Sequence, residues 1–169
     1  MKINVLGSGH MGKQICSLFV VLGHTVKIWH NSQQNQEKTI QNEISKIEKH
    51  FNIKSDGDFL FVQNINELEN TLTIETVKED LSIKKEIISK LNFKDNIFSN
   101  TSSLKLSKIG ENINGFHFMN PITIPLIELC KKNSYSNELL DELILSLKKL
   151  SYNIIDVNDK SGFLINRIL

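Results

Sequence analysis

The sequence is poor in the residues that would set it apart: two cysteines, two prolines and one tryptophan in 169 residues, with no excess of charge of either sign. Cys16 and Cys130 lie too far apart for a metal-ligand spacing and are too few for a disulfide framework, so buried thiols are expected and a metal is not. Lys and Arg total 20 against 19 for Asp and Glu. That balance leaves no field of one sign to draw nucleic acid or an anionic membrane surface, and a small-molecule partner is expected instead. The longest apolar runs, Ser17 to Gly23 and Ile122 to Leu129, fall well short of the ~20 residues that span a bilayer. Met1 to Leu6 runs straight into glycines without the apolar stretch of a secretion signal, which gives a cytoplasmic expectation.

What is present is an alternation of short β-type runs with helical ones. Ile3 to Leu6 is an apolar run ended by glycine, and Ile15, Leu18, Phe19 and Leu22 then recur at helical spacing. Gly23 stops that helix, and Thr25 to Trp29 is a second strand. From Gln33 to His50 a polar segment carries one thin stripe, Ile40, Ile44 and Ile47. Phe59 to Gln63, Leu72 to Glu75, Ile97 to Ser99, Ile113 to Phe118, Leu126 to Leu129 and Asn153 to Val157 read as further strands. Helical stretches fall at Ile65 to Leu68, Ser82 to Leu91, Leu104 to Ile109 and Leu139 to Leu150. The polar loop Asn100 to Ser103 is placed to cap the turn at Leu104, and Pro125 suits only the start or edge of a strand. The pattern predicts one α/β domain over residues 1–169, Rossmann-like, with a mostly parallel sheet and helices on both faces.

Gly7-Ser8-Gly9-His10-Met11-Gly12 fits G-x-G-x-x-G between the first strand and the first helix. The first glycine permits the tight turn, the second a close approach to a pyrophosphate, and the third close packing of helix on strand. The free N–H groups at that helix start favour phosphate charge. The acidic residue that usually ends the second strand and accepts from a ribose 2′-hydroxyl is missing, and Trp29-His30-Asn31-Ser32 stands there instead. His30, Asn31 and Ser32 are able to donate to a 2′-phosphate, and Asn31 or Ser32 equally to the ribose of NAD, so NADP stands beside NAD. Further on, Gly115-Phe116-His117-Phe118-Met119-Asn120-Pro121 sets a histidine near a strand end, with Glu128 on the following strand. Such a pair suits proton abstraction near neutral pH, the carboxylate fixing the tautomer of the ring. The residues alone fit a satisfied core histidine as well.

Several segments, in order, resemble the 3-hydroxyacyl-CoA dehydrogenase family over nearly the whole chain. They are the glycine loop; Glu75-Thr76-Val77-Lys78-Glu79-Asp80-Leu81 with Lys84-Lys85-Glu86; Asn100-Thr101-Ser102-Ser103-Leu104; Gly115 to Pro121; Leu126-Ile127-Glu128; and Asp159 to Arg167. The resemblance implies NAD-dependent oxidation of an L-3-hydroxyacyl-CoA, of 3-hydroxybutyryl-CoA type, or the reverse reduction. It also implies His117 as general base, Glu128 as its carboxylate partner, Ser102 near the substrate oxygen and Asn166 orienting the substrate. Glu75, Asp80, Asn100 and Asn120 match cofactor-contacting positions.

Two differences from the family carry structural expectations. The segment Pro121 to Glu128 is one residue shorter, and an uncompensated slip would turn Glu128 to the face opposite His117. Family members also continue past the residues matching Ile168-Leu169 into a helical domain, so the resemblance covers the dinucleotide-binding half alone. A homo-oligomer, or association with such a helical domain, is then expected to complete the substrate cleft. Two alternatives stand beside the dehydrogenase reading: a weak or inactive nicotinamide-dinucleotide-binding module, and a related dehydrogenase of a free hydroxy acid.

Overall fold

The computed structural model describes residues 1–30, 36–132 and 135–168. In chain order the elements are β1 (Lys2–Leu6), α1 (His10–Val21), β2 (Thr25–Trp29), α2 (Glu37–Phe51), β3 (Asp58–Val62), a 3-10 turn (Ile65–Glu67), β4 (Thr73–Glu75) and α3 (Leu81–Ser89). They continue with β5 (Ile97–Ser99), α4 (Leu106–Ile109), β6 (Asn114–Asn120), β7 (Ile124–Cys130), α5 (Asn137–Lys148), β8 (Asn153–Asp156) and α6 (Ile165–Ile168). Every strand expected from the sequence is present, with ends shifted by a few residues. All join one sheet in the order β3-β2-β1-β4-β5-β6-β7-β8. Each neighbouring pair is parallel except β6 with β7.

Alternation along the strands explains why both faces are covered. Ile3 and Val5 of β1 enter a core with α1, α2 and α5, whereas Leu6 joins a second core with Trp29, Ile87, Ile97 and Leu106. Helix α1 buries nine of its twelve residues because it packs on β1, β2, β3 and α2 at once. Each large apolar side chain it seals off, such as Leu18 or Phe19, contributes roughly 1.5–3 kcal/mol. Helix α2 buries only Ile40, Ile44 and Ile47, the stripe seen in the sequence. Cys16 and Cys130 are free and buried. None of the helices is long and apolar enough to cross a membrane among the described residues.

Two features of the sheet position the site. The chain runs β1, β2, β3 outward to one side and then crosses to β4 on the other side of β1, opening a crevice at the carboxyl ends of the strands. At the other end of the sheet, the antiparallel β6–β7 hairpin contains a bulge. Phe118 pairs with Ile127 but Asn120 with Ile124, so two steps along β6 face three along β7. In this register His117 stands directly opposite Glu128, not on the other face. Pro125, which lacks an N–H, sits within this irregular stretch, where no ladder bond is lost. The Tyr152 hydroxyl donates to the Pro121 carbonyl and ties the hairpin turn to the start of β8.

Candidate active site

Gly7 follows β1 with φ +103°, and its N–H donates to the Trp29 carbonyl at 2.9 Å. Gly12 is held by contact: a Cβ there would sit 2.0 Å from the Gly7 carbonyl oxygen and 2.6 Å from the Thr76 hydroxyl. Around Gly9 the opposite holds, since an added Cβ would meet nothing within 4 Å. That open approach is the space a phosphate needs. The N-cap of α1, Gly9, has no side chain to cap it and the first turn has no acidic residue, so among the described residues its N–H groups and positive dipole end are left to the crevice. A first cleft of about 410 Å³ lies here, walled by Gly7, Ser8, Gly9, Trp29, His30 and Val77 among others.

A second cleft of about 310 Å³ shares Thr76 and Val77 with the first and continues along the strand ends to Met11, Asn100, Ser102 and His117. His117 is flanked by Phe116 and Phe118, both in the α1-side core, so alternation turns it to the opposite face, where it borders this cleft. Its Nδ1 lies 2.7 Å from Glu128 Oε2. The other oxygen, Glu128 Oε1, accepts from the backbone N–H groups of Leu164 and Ile165, each at 2.9 Å. One fully buried carboxylate thus orients the histidine and anchors the turn that carries Asn166. Asn166 Nδ2 in turn donates to the Ser102 carbonyl at 2.9 Å. Phe163, at φ +43° beside Gly162 at +75°, lays its ring 5.9 Å from that of His117, a local strain placed against the site.

The loop bearing Ser102 is shaped by Glu79, which the sequence reading did not single out. Its Oε1 accepts from the Thr101 hydroxyl, the N–H groups of Ser102 and Ser103, and the Ser103 hydroxyl at 2.6–3.0 Å. Burial alone would raise this carboxyl's pKa, but bonds from Thr101 and Ser103 and the charge of Lys84 outweigh it and bring the value from 4.5 down to about 2. Lys84 was also missed. It is 1% exposed, pairs with Glu75 at 2.8 Å and Glu79 at 3.3 Å, and borders the second cleft. The signal for both lay in Glu79 and Lys84 themselves, a carboxylate and a lysine just ahead of and within a helix after a strand, but only the fold shows that they meet.

The remaining expected residues divide sharply. Gly7, Ser8, Gly9 and His30 border the first cleft, and Met11, Asn100, Ser102 and His117 the second. His10 is exposed at the start of α1, and Asn31 lies outside the described residues. Three positions are engaged in bonds inside the protein. Glu75 has no exposed surface, and its carboxylate faces the Val77 N–H, Lys84 and the Ser99 hydroxyl, so it underlies the crevice instead of lining it. Asp80 caps α3, accepting from the Ser82 and Ile83 N–H groups. Asn120 Oδ1 accepts from the Ile122 and Thr123 N–H groups and closes the hairpin turn. The capping expected of residues 100–103 is present at Leu104, whose N–H donates to the Thr101 hydroxyl at 3.0 Å, while α4 itself begins at Leu106 and Asp159 accepts from the N–H groups of Leu106 and Ser107.

A glycine-loop crevice at the switch point of a parallel sheet defines a Rossmann-type dinucleotide-binding protein. The profile of the family described as "3-hydroxyacyl-CoA dehydrogenase, NAD binding domain" matches residues 2–160, and the chain belongs to that family. It is 27% identical to human mitochondrial hydroxyacyl-coenzyme A dehydrogenase over 195 aligned residues, covering 99% of this chain and 62% of that protein. It is 29% identical to 3-hydroxybutyryl-CoA dehydrogenase of Clostridioides difficile, covering 100% of this chain and 68% of that protein. The fold is that of (S)-3-hydroxybutyryl-CoA dehydrogenase from Ralstonia eutropha, with a TM-score of 0.75 at 24% identity, over 99% of this chain and 66% of that one. The chain therefore spans roughly two thirds of the length of these relatives. NAD fits the residues present: the open approach at Gly9, the uncapped start of α1 and the two joined clefts give room for a diphosphate between two nucleoside ends.

Proposed function

We propose that residues 1–169 form one dinucleotide-binding unit of an oxidoreductase that oxidises an L-3-hydroxyacyl-CoA, or reduces the corresponding 3-ketoacyl-CoA. The observation that carries this reading is the 2.7 Å His117–Glu128 pair beside a cleft that shares Thr76 and Val77 with the cleft at the glycine loop. The first-cleft residues hold the diphosphate through backbone N–H groups, and Ser102 and Asn100 border the far end. When bound, NAD supplies the acceptor for hydride. His117 takes the hydroxyl proton on Nε2, because Nδ1 is engaged by Glu128, whose charge stabilises the imidazolium formed. Ser102 and Asn166, joined through the Ser102 carbonyl, position the substrate oxygen against that ring. Holding base and acceptor in one geometry removes much of the entropic barrier to a step in which proton and hydride leave from adjacent atoms.

The test is His117→Ala. Turnover of acetoacetyl-CoA with reduced nicotinamide, followed by absorbance, is expected to fall by about 10²-fold or more, while nucleotide affinity measured by calorimetry is unchanged. Equal turnover in the variant sinks the assignment. The 46% and 74% exposure of Leu164 and Ile168 favours a second reading, in which this chain binds the cofactor and a second copy or a helical partner must cover the substrate side. Nucleotide binding without any turnover is the outcome that selects it.

A further inference from the structure

The adenosine end of a Rossmann site is usually read at the carboxyl end of the second strand. A carboxylate there accepts from the ribose 2′-hydroxyl and repels a 2′-phosphate. In this protein that position is His30, directly after β2, with its N–H on the Val62 carbonyl at 3.2 Å and its ring 4.9 Å from that of Phe61. From His30 to Gln36 the sequence contains no Asp or Glu. The first acidic residue, Glu37, opens α2 on the exposed side and does not border the first cleft. No carboxylate borders that cleft among the described residues, whereas Lys78, a cation, does.

A second observation marks the same wall. His30 is 6% exposed and its Nδ1 has no hydrogen-bond partner among the described residues, and Gln36 Oε1, on the same cleft, is also buried and unpaired. A buried polar atom without a partner costs about 1–3 kcal/mol, and a polar ligand group in the cleft relieves it. Trp29, the other large side chain there, has its indole N–H already engaged by the Gln63 carbonyl at 2.9 Å. The recognition chemistry left at this end is therefore neutral or cationic.

Resting on the dinucleotide reading above, we infer that this site does not reject a 2′-phosphate: NADH and NADPH are held with comparable affinity, and the lack of a carboxylate at position 30, where His30 stands, is what decides it. The missing repulsion is the physical cause, since discrimination between these two cofactors depends on what the site places against the extra phosphate.

The test is a pair of titrations of the full chain, with NADH and with NADPH, by calorimetry and by the fluorescence of Trp29, the sole tryptophan, which borders the first cleft. The two dissociation constants are expected to agree within about tenfold. His30→Asp, which restores a carboxylate, is expected to weaken NADPH by more than about tenfold and leave NADH bound. His30→Asn, which removes the ring without adding charge, is expected to leave the ratio near unity. A wild-type preference for NADH of about a hundredfold overturns the inference, as does His30→Asp weakening both cofactors alike. If His30→Asp fails to fold, the wild-type ratio and His30→Asn still decide. Failure of the wild type to bind either nucleotide removes the dinucleotide reading itself, an outcome distinct from binding one and rejecting the other.

Discussion

The two halves of the crevice are built from different materials. Around the glycine loop the site is backbone: carbonyl and N–H positions fixed by Gly7 and Gly12, a helix start without a side-chain cap from Gly9, and no carboxylate on the wall among the described residues. Around His117 it is side chain: Glu128 holding His117 and the turn at Leu164, Glu79 gathering the Ser102 loop, and Lys84 between Glu75 and Glu79. The first half recognises something every dinucleotide shares, a diphosphate, and needs only space and dipoles. The second half has to hold a proton acceptor in one tautomer and one orientation, and it does so with charged side chains whose positions are each set by several partners.

That contrast can be broken by substitution, and the largest effect is expected where buried charge is left unpaired. Lys84→Met should cost about 3–5 kcal/mol of stability, because the Glu75 carboxylate, 0% exposed, loses its cation. Chemical denaturation measures it, and a loss under about 1 kcal/mol would show that this pair does not hold the fold together. Next comes a matched pair in the glycine loop. Gly12→Ala should destabilise by about 1–3 kcal/mol and abolish nucleotide binding, since its methyl would overlap the Gly7 carbonyl. Gly9→Ala should change stability by less than ~0.5 kcal/mol, having room in the protein, yet weaken the nucleotide about tenfold or more by occupying the phosphate's approach. Thermal melts and calorimetry separate the two. If Gly9→Ala binds normally, the backbone half of the comparison fails.

The smallest expected effect is on acid stability. Glu79 has its pKa lowered from 4.5 to about 2 in the folded protein, so it favours the folded state above pH 4.5, and that contribution is lost as pH falls towards 2. Glu79→Gln should therefore be less stable than wild type at pH 7, with the difference shrinking on acidification through this window. A pH-independent difference in urea midpoint would show that the Glu79 charge does not organise the Ser102 loop.

Much of this architecture can be read without coordinates. The G-x-G-x-x-G run between an apolar strand and a periodic helix locates the first cleft, because tight turn, close approach and helix start are all local demands on consecutive residues. The His117 and Glu128 pair is visible as two polar residues on neighbouring candidate strands. Its contact is not visible, since the register that sets the two opposite each other runs through a bulge between Phe118 and Asn120 that no local pattern announces. Glu75 shows the same limit. As a strand-end carboxylate it looks available to a cofactor, and only the approach of Lys84 and Ser99 from later elements buries it.

Local periodicity and turn chemistry, which act between residues a few places apart, fixed the order of strands and helices, the nucleotide loop and the absence of an acidic ribose reader. The tertiary structure alone decided which carboxylate meets which donors: Glu79 with residues 101–103, Asp159 with the start of α4, and Glu128 with the turn at Leu164. Those bonds join positions more than twenty residues apart, and their geometry depends on the order and register in which the strands pack, a property that no short stretch of chain contains.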